Sequence, residues 1–202
     1  MALKHQVDPA RKWRAAIRDV TRHFPADLPT CVFLTDPERT PDPAAIVAKL
    51  PPGVGLIYRH FGADNRLHMA EQLAILSKRR GVKFLIAADP ALAISVGADG
   101  VHWPEARLRQ ARAWRGRFAI QTASAHSRRA IWRAAQFGMD AVLVSAVFPS
   151  ESKSADRPLG VPRFRRMVAG SQLPVFALGG VNPTTAMRIS PVAGLSGISA
   201  FR

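Results

Sequence analysis

Residues 82–103 read VKFLIAADPALAISVGADGVHW, and this stretch decides the fold. Val82–Ala87 is a short run that is apolar apart from Lys83. Such a run reads as a strand buried on both faces of a parallel sheet. Pro90–Val96 follows, with Pro90 suited to a first helical turn and Gly97 to a stop. Gly100–Trp103 is a second apolar run. Strand, helix and strand in this order make one β/α unit.

The same unit recurs on both sides. Further strand-like runs are Cys31–Thr35, Val54–Arg59, Phe118–Thr122, Ala141–Val144, Val175–Leu178 and Gly197–Ala200, which makes eight in all. Asn65–Arg80 has a helical period, opening at Asp64-Asn65 and closing at Gly81. Ser127–Phe137 begins on a Ser cap and stops at Gly138. Eight repeats predict a (β/α)8 barrel or a doubly wound sheet. The repeat from Val32 to Ser196 averages about 23 residues. That is compact beside the ~250 residues of a common barrel.

Two features lie outside the repeat. Pro9–Phe24 is a basic amphipathic helix with Trp13, Ile17, Val20 and Phe24 on one side. It divides the chain into an extension, residues 1–29, and a barrel, residues 30–202. A leading helix of this kind is expected to close the bottom of the barrel. After the eighth strand no eighth outer helix follows, which is expected to leave an apolar groove between the first and seventh helices.

Composition narrows the function. The chain has 202 residues, 48% of them hydrophobic and 21% charged, as a globular protein does. No apolar run approaches the ~18 residues of a membrane helix, and the first residues, MALKHQVDPARKW, do not read as a signal peptide. The expectation is a cytoplasmic protein without membrane contact. One cysteine, Cys31, excludes an internal disulfide framework and a cysteine-based zinc site. The net charge of +15 favours anionic partners. The 23 Arg are scattered rather than gathered in a stripe with aromatics, which reads as charge on solvated helix faces before it reads as nucleic-acid binding.

In a barrel the active site is built at the C-terminal ends of the strands. Polar residues there include Asp36, Arg59, His60, Ser124, His126, Ser145, Ser150, Ser152, Lys153, Asn182 and Ser199. Gly179-Gly180 after the seventh strand lets backbone N–H groups approach a phosphate. Ser150, Ser152 and Lys153 add two hydroxyls and a cation on a polar loop. Each signal has a plain alternative, a turn or a solvated loop. His126 precedes a helix N-terminus, which is expected to favour neutral imidazole and proton exchange.

The motifs VGADGVHW (Val96–Trp103), SAHS (Ser124–Ser127), AVFPSESKS (Ala146–Ser154), LGGVN (Leu178–Asn182) and GISA (Gly197–Ala200) occur in that order. Together they resemble the thiamine phosphate synthase and thiazole tautomerase family. The resemblance covers residues 30–202. It implies a (β/α)8 barrel that handles a thiazole phosphate on the route to thiamine. It also implies that Ser150, Ser152 and Lys153 belong to an anion-binding loop. Gly179, Gly180, Ile198 and Ser199 would line the thiazole phosphate site. Arg59 and Ser124 would face substrate, and His126 would match the family's histidine.

The chain departs from that family where a synthase would hold magnesium. The ligand positions after strands three and four read Ala87-Ala88 and Arg107, with Asp89 displaced by one residue and Glu105 nearby. Neither Ala nor Arg supplies an oxygen ligand for magnesium. No metal or other cofactor is therefore expected. The expected activity is a metal-independent proton transfer on a thiazole phosphate, an isomerase reaction. The alternative is a synthase, a transferase joining pyrimidine pyrophosphate to thiazole phosphate. A third reading, from another class, is a nonenzymatic basic protein that binds nucleic acid or a regulatory partner. Assembly into a homo-oligomer is left open.

Overall fold

The computed structural model describes residues 8–150 and 157–198. Eight strands run β1 (Cys31–Leu34), β2 (Val54–Tyr58), β3 (Lys83–Ala87), β4 (Gly100–Trp103), β5 (Ile120–Ala125), β6 (Ala141–Val144), β7 (Val175–Ala177) and β8 (Gly194–Gly197). All are parallel and paired in chain order, and β8 closes on β1 with Cys31 opposite Leu195. The architecture is thus a (β/α)8 barrel. Around it lie α1 (Pro9–Thr21), α2 (Pro43–Val47), α3 (Arg66–Arg80), α4 (Pro90–Ser95), α5 (Leu108–Ala111), α6 (Arg128–Gln136) and α7 (Gly160–Val168). Between β7 and β8 the helix shrinks to one 3-10 turn, Ala186–Arg188. No helix among the described residues is long and apolar enough to cross a membrane.

The strand period of two sorts side chains into two cores. Outward residues such as Leu56, Tyr58, Val101, Ala123 and Val142 pack under the helices. Inward residues Val32, Ile57, Leu85, Ile120, Leu143 and Phe176 fill the lower barrel. Gly100 must be glycine for steric reasons: a Cβ there would overlap the Ile120 carbonyl. Trp103 is fully buried, and its indole N–H donates to Gln121 Oε1 at 3.0 Å, so it carries no unpaired donor inside.

A five-residue device appears twice at the strand starts. In GADGV (Gly97–Val101), Asp99 Oδ2 accepts from the Phe84 amide at 2.8 Å. In GMDAV (Gly138–Val142), Asp140 Oδ2 accepts from the Gln121 amide at 2.6 Å. Each carboxylate thereby ties a strand to the start of its predecessor and satisfies a backbone donor that the ladder leaves over.

Helix α1 does not itself close the barrel bottom. It lies against β8 and the Ala186–Arg188 turn, on the outer wall where an eighth helix would stand. Ala16 and Val20 are its buried face, and Asp19 Oδ2 accepts from Ser190 Oγ at 2.7 Å. The expected groove on this side is therefore occupied by the chain's own first helix. The bottom is closed by residues that follow it. Phe24 packs on Phe176, with ring centroids 5.0 Å apart, and Leu28 joins the inner core.

Candidate functional site

The C-terminal ends of the strands surround a cavity of about 540 Å³. Of the residues singled out in the sequence, Arg59, Ser124, His126, Ser150, Gly179, Gly180 and Ile198 line it. Ser152, Lys153 and Ser199 lie outside the described residues. Asp36, Ser145 and Asn182 from the same strand ends line it too, together with Arg39 and His102, which the sequence did not single out. His60 does not line it; that side chain is buried, its ring 5.1 Å from the ring of Tyr58.

Strand β5 explains why the cavity is polar. Its inward positions climb from Ile120 through Thr122 to Ser124, from the apolar lower barrel to the mouth. On the neighbouring strand the inward residue is His102, whose register partner is Thr122. The His102 imidazole is 5% exposed, with Nδ1 2.9 Å from Thr122 Oγ1 and Nε2 3.0 Å from Ser124 Oγ. Burial, with the Arg59 charge acting the same way, pushes its pKa down to about 3. The ring is neutral at neutral pH.

Opposite lies a charged group on the loops after β1 and β2. Asp36 Oδ2 bonds Arg39 at 3.1 Å and lies 3.5 Å from the Arg59 guanidinium. Burial alone would raise the Asp36 pKa; the hydrogen bonds and charge of Arg39, with the Arg59 charge, more than offset it and hold the carboxyl below its ordinary value. Arg59 is fixed by its Nε donating to the Thr35 carbonyl at 2.9 Å. Two guanidinium groups against one carboxylate leave this side of the cavity cationic, fit for an anionic ligand.

Gly179 and Gly180 have φ of +92° and +65°. A Cβ on Gly179 would sit 2.8 Å from Ala146 Cβ, and one on Gly180 would overlap the Pro149 carbonyl. The pair therefore lets the loop after β6 pack on the loop after β7, anchored by Phe148 N–H to the Gly179 carbonyl at 3.0 Å. Among the described residues neither glycine amide has a carbonyl partner. Ser150 Oγ in the same wall is buried and has no partner among the described residues.

His126 stands at the rim, its side chain 59% exposed. Its partner is Glu105, a residue the sequence offered only as a neighbour of the metal positions. Glu105 Oε2 accepts from His126 Nδ1 at 2.9 Å, and Oε1 accepts from Arg133 at 2.7 Å. A donor at Nδ1 leaves Nε2 as the nitrogen free to take a proton. His126 and Ser124 also line a second, outer hollow of about 650 Å³, floored by Leu108 and Phe137.

The corner where the resemblance places a synthase's metal does not fit one. Asp89 is engaged twice, capping α4 through the Leu92 amide at 3.0 Å and pairing with Arg66 at 2.6 Å. Arg107 donates to the Ala88 carbonyl at 3.3 Å and brings a cation there. Glu105 is held by His126 and Arg133. Among the described residues no three His, Cys, Asp or Glu side chains are grouped as a metal site requires.

Comparison with known proteins agrees with the resemblance. The TMP-TENI family model, thiamine monophosphate synthase, matches residues 31–202. The thiamine-phosphate synthase of Thioalkalivibrio sulfidiphilus is 36% identical over 155 residues, covering 72% of this chain and 74% of the relative. That of Alcanivorax borkumensis is 33% identical over 172 residues, covering 81% and 79%. The chain spans 42% of the length of the Synechococcus relative, at 33% identity. Among solved structures, thiamine phosphate pyrophosphorylase from Pyrococcus furiosus superposes with a TM-score of 0.68 at 21% identity, covering 85% of each chain. At that identity the likeness speaks for the fold.

Proposed function

The chain belongs to the thiamine monophosphate synthase family, and from that premise we propose that it binds a thiazole phosphate in the cavity at the barrel mouth and moves a proton on it without a metal. The observation that carries this reading is the Glu105–His126 pair at the cavity rim. The carboxylate orients the ring through Nδ1, and Nε2 takes a proton from one position of the thiazole and returns it at another. The amides of Gly179 and Gly180 receive the phosphate. Ser124 and Ser150 offer hydroxyls to the ring and its substituents, with Lys153, Ser152 and Ser199 in the same roles that the resemblance implies.

A second reading is favoured by the relatives, which are named thiamine-phosphate synthases. Here the chain joins a pyrimidine pyrophosphate to the thiazole phosphate, and Arg39 and Arg59 neutralise the leaving diphosphate in place of a metal. In both readings the partner is a small phosphorylated molecule and the work is a step of thiamine biosynthesis. A purely nucleic-acid-binding role is disfavoured because the Arg residues are scattered along the chain and Arg66, Arg80 and Arg133 are spent on bonds inside the fold.

Thermal denaturation with thiazole phosphate, diphosphate and magnesium tests the binding, since a ligand of the folded state alone raises Tm. Thiazole phosphate alone is expected to raise it. Product analysis then separates the two reactions: a rearranged thiazole supports the first, and thiamine phosphate formed from both substrates supports the second. Absence of any thiazole phosphate effect would reject both.

A further inference from the structure

We propose that His102 sets the hydrogen-bonding sense of Ser124, so that this hydroxyl meets a ligand as donor or as acceptor according to the imidazole tautomer. The inference rests on the cavity being the ligand site and not on which reaction occurs there. It makes His102 a positioning residue, since it reaches a ligand through Ser124.

The argument is one of counting protons. A neutral imidazole has one N–H and one bare nitrogen. Both ring nitrogens of His102 are within hydrogen-bond distance of a hydroxyl, Thr122 Oγ1 at 2.9 Å and Ser124 Oγ at 3.0 Å. A hydroxyl can donate or accept and turns freely to suit. Two arrangements therefore satisfy every atom. In one, Thr122 donates to Nδ1, and Nε2–H donates to Ser124; the Ser124 proton is then left for the cavity. In the other, Ser124 donates to Nε2, and Nδ1–H donates to Thr122; Ser124 then shows the cavity only lone pairs.

Neither arrangement leaves a buried donor orphaned, a defect that would otherwise fix the choice. No carboxylate bonds the ring to select a tautomer, as Glu105 does for His126. Among the described residues the charged side chain that acts on the ring is Arg59, which disfavours protonation. The choice falls to the ligand. A substrate atom that changes from donor to acceptor when a proton moves could be held by Ser124 before and after, with only a tautomer exchange behind it.

The test reads the ring nitrogens of His102 by NMR in protein labelled with 15N-histidine. Thr122→Val removes the partner of Nδ1 and is expected to drive the ring to the Nε2–H form. Ser124→Ala removes the partner of Nε2 and is expected to drive it to the Nδ1–H form. Thr122→Ser is expected to restore the wild-type spectrum, which a simple packing role would not require. Thiazole phosphate is expected to move the wild-type tautomer, and Thr122→Val to change its affinity about tenfold although Thr122 does not line the cavity. The same tautomer in wild type and both variants, or a charged His102 above pH 5, would overturn the proposal. If thiazole phosphate does not bind wild type, the proposed function falls, while the spectra of the free protein still decide this inference.

Discussion

The carboxylate of Glu105 holds His126 at two points, accepting from the imidazole Nδ1 at 2.9 Å and from the backbone amide at 3.1 Å. The two residues come from loops after neighbouring strands, β4 and β5, so the pair exists once those two strands have paired. It fixes both where the ring stands and which nitrogen is free.

His126→Ala is therefore expected to lower turnover about 10²–10⁴-fold, the usual worth of general acid/base catalysis. Thiazole phosphate affinity should change little, because the amides proposed to receive the phosphate, those of Gly179 and Gly180, follow β7 and not β5. Glu105→Gln keeps an oxygen that can accept from Nδ1 and should cause a smaller loss. Turnover and Tm measured on one preparation decide the matter: a variant that loses stability but keeps its turnover per folded molecule would make His126 a packing residue.

His102 predicts how stability depends on pH. Its folded pKa is lowered to about 3 from an ordinary 6.5. Between those values the unfolded chain binds a proton that the folded chain refuses. Stability is thus fully present above about pH 6.5 and is lost as pH falls toward 3, at up to about 1.4 kcal/mol per pH unit from this one group. Urea denaturation from pH 7 to pH 4.5 should show that slope, and His102→Asn should flatten it. An equal slope in the variant would assign the effect elsewhere.

Magnesium should not matter. Asp89 is committed to Arg66 at 2.6 Å, and Arg107 lies against the Ala88 carbonyl. Magnesium chloride or a chelator is expected to leave both turnover and the Tm with thiazole phosphate unchanged. Robust magnesium-dependent formation of thiamine phosphate by the purified protein would contradict this.

Gly180→Ala tests the wall between the loops after β6 and β7. The left-handed backbone at φ +65° and the overlap with the Pro149 carbonyl together should cost at least about 2 kcal/mol. In a chain of this size that lowers Tm by about 4–8 °C. Crystals grown in sulfate should place an anion at the Gly179 and Gly180 amides of the wild type. An empty corner with the anion bound elsewhere would remove these glycines from the phosphate site.

Much of this was legible in the sequence because parallel strands are apolar on both faces. Ala141–Val144 and Gly100–Trp103 were read at their true bounds. For β5 the sequence points to Phe118–Thr122, two residues early and ending three short of Ala125, because the last inward position, Ser124, is polar; it faces the cavity rather than the core. Strand β8 was placed three residues late. Its Gly194 has no strand propensity, and its small size is demanded by the Phe24 and Phe176 rings, which a Cβ there would crowd to 3.0 and 2.6 Å. At the site, the glycine pair and His126 announce themselves by their motifs. His102 does not, being one polar letter in an apolar run, although counting inward from the outward Trp103 and Val101 would have found it. Glu105 is 21 residues from His126 in the chain, and only the parallel register of β4 on β5 brings the two loops together.

The seat of α1 against β8 has a consequence for how the molecule is made. Asp19 and Ser190 touch across 171 residues of chain, and Val20 is buried only once the last turn and strand are in place. During synthesis α1 leaves the ribosome with its apolar stripe uncovered, and the surface that will cover it follows 171 residues later at Ser190. Such non-local contacts close slowly. The nascent chain thus carries a basic, half-apolar helix uncovered until that turn and β8 have emerged, and the seat of α1 is among the last contacts the barrel can make.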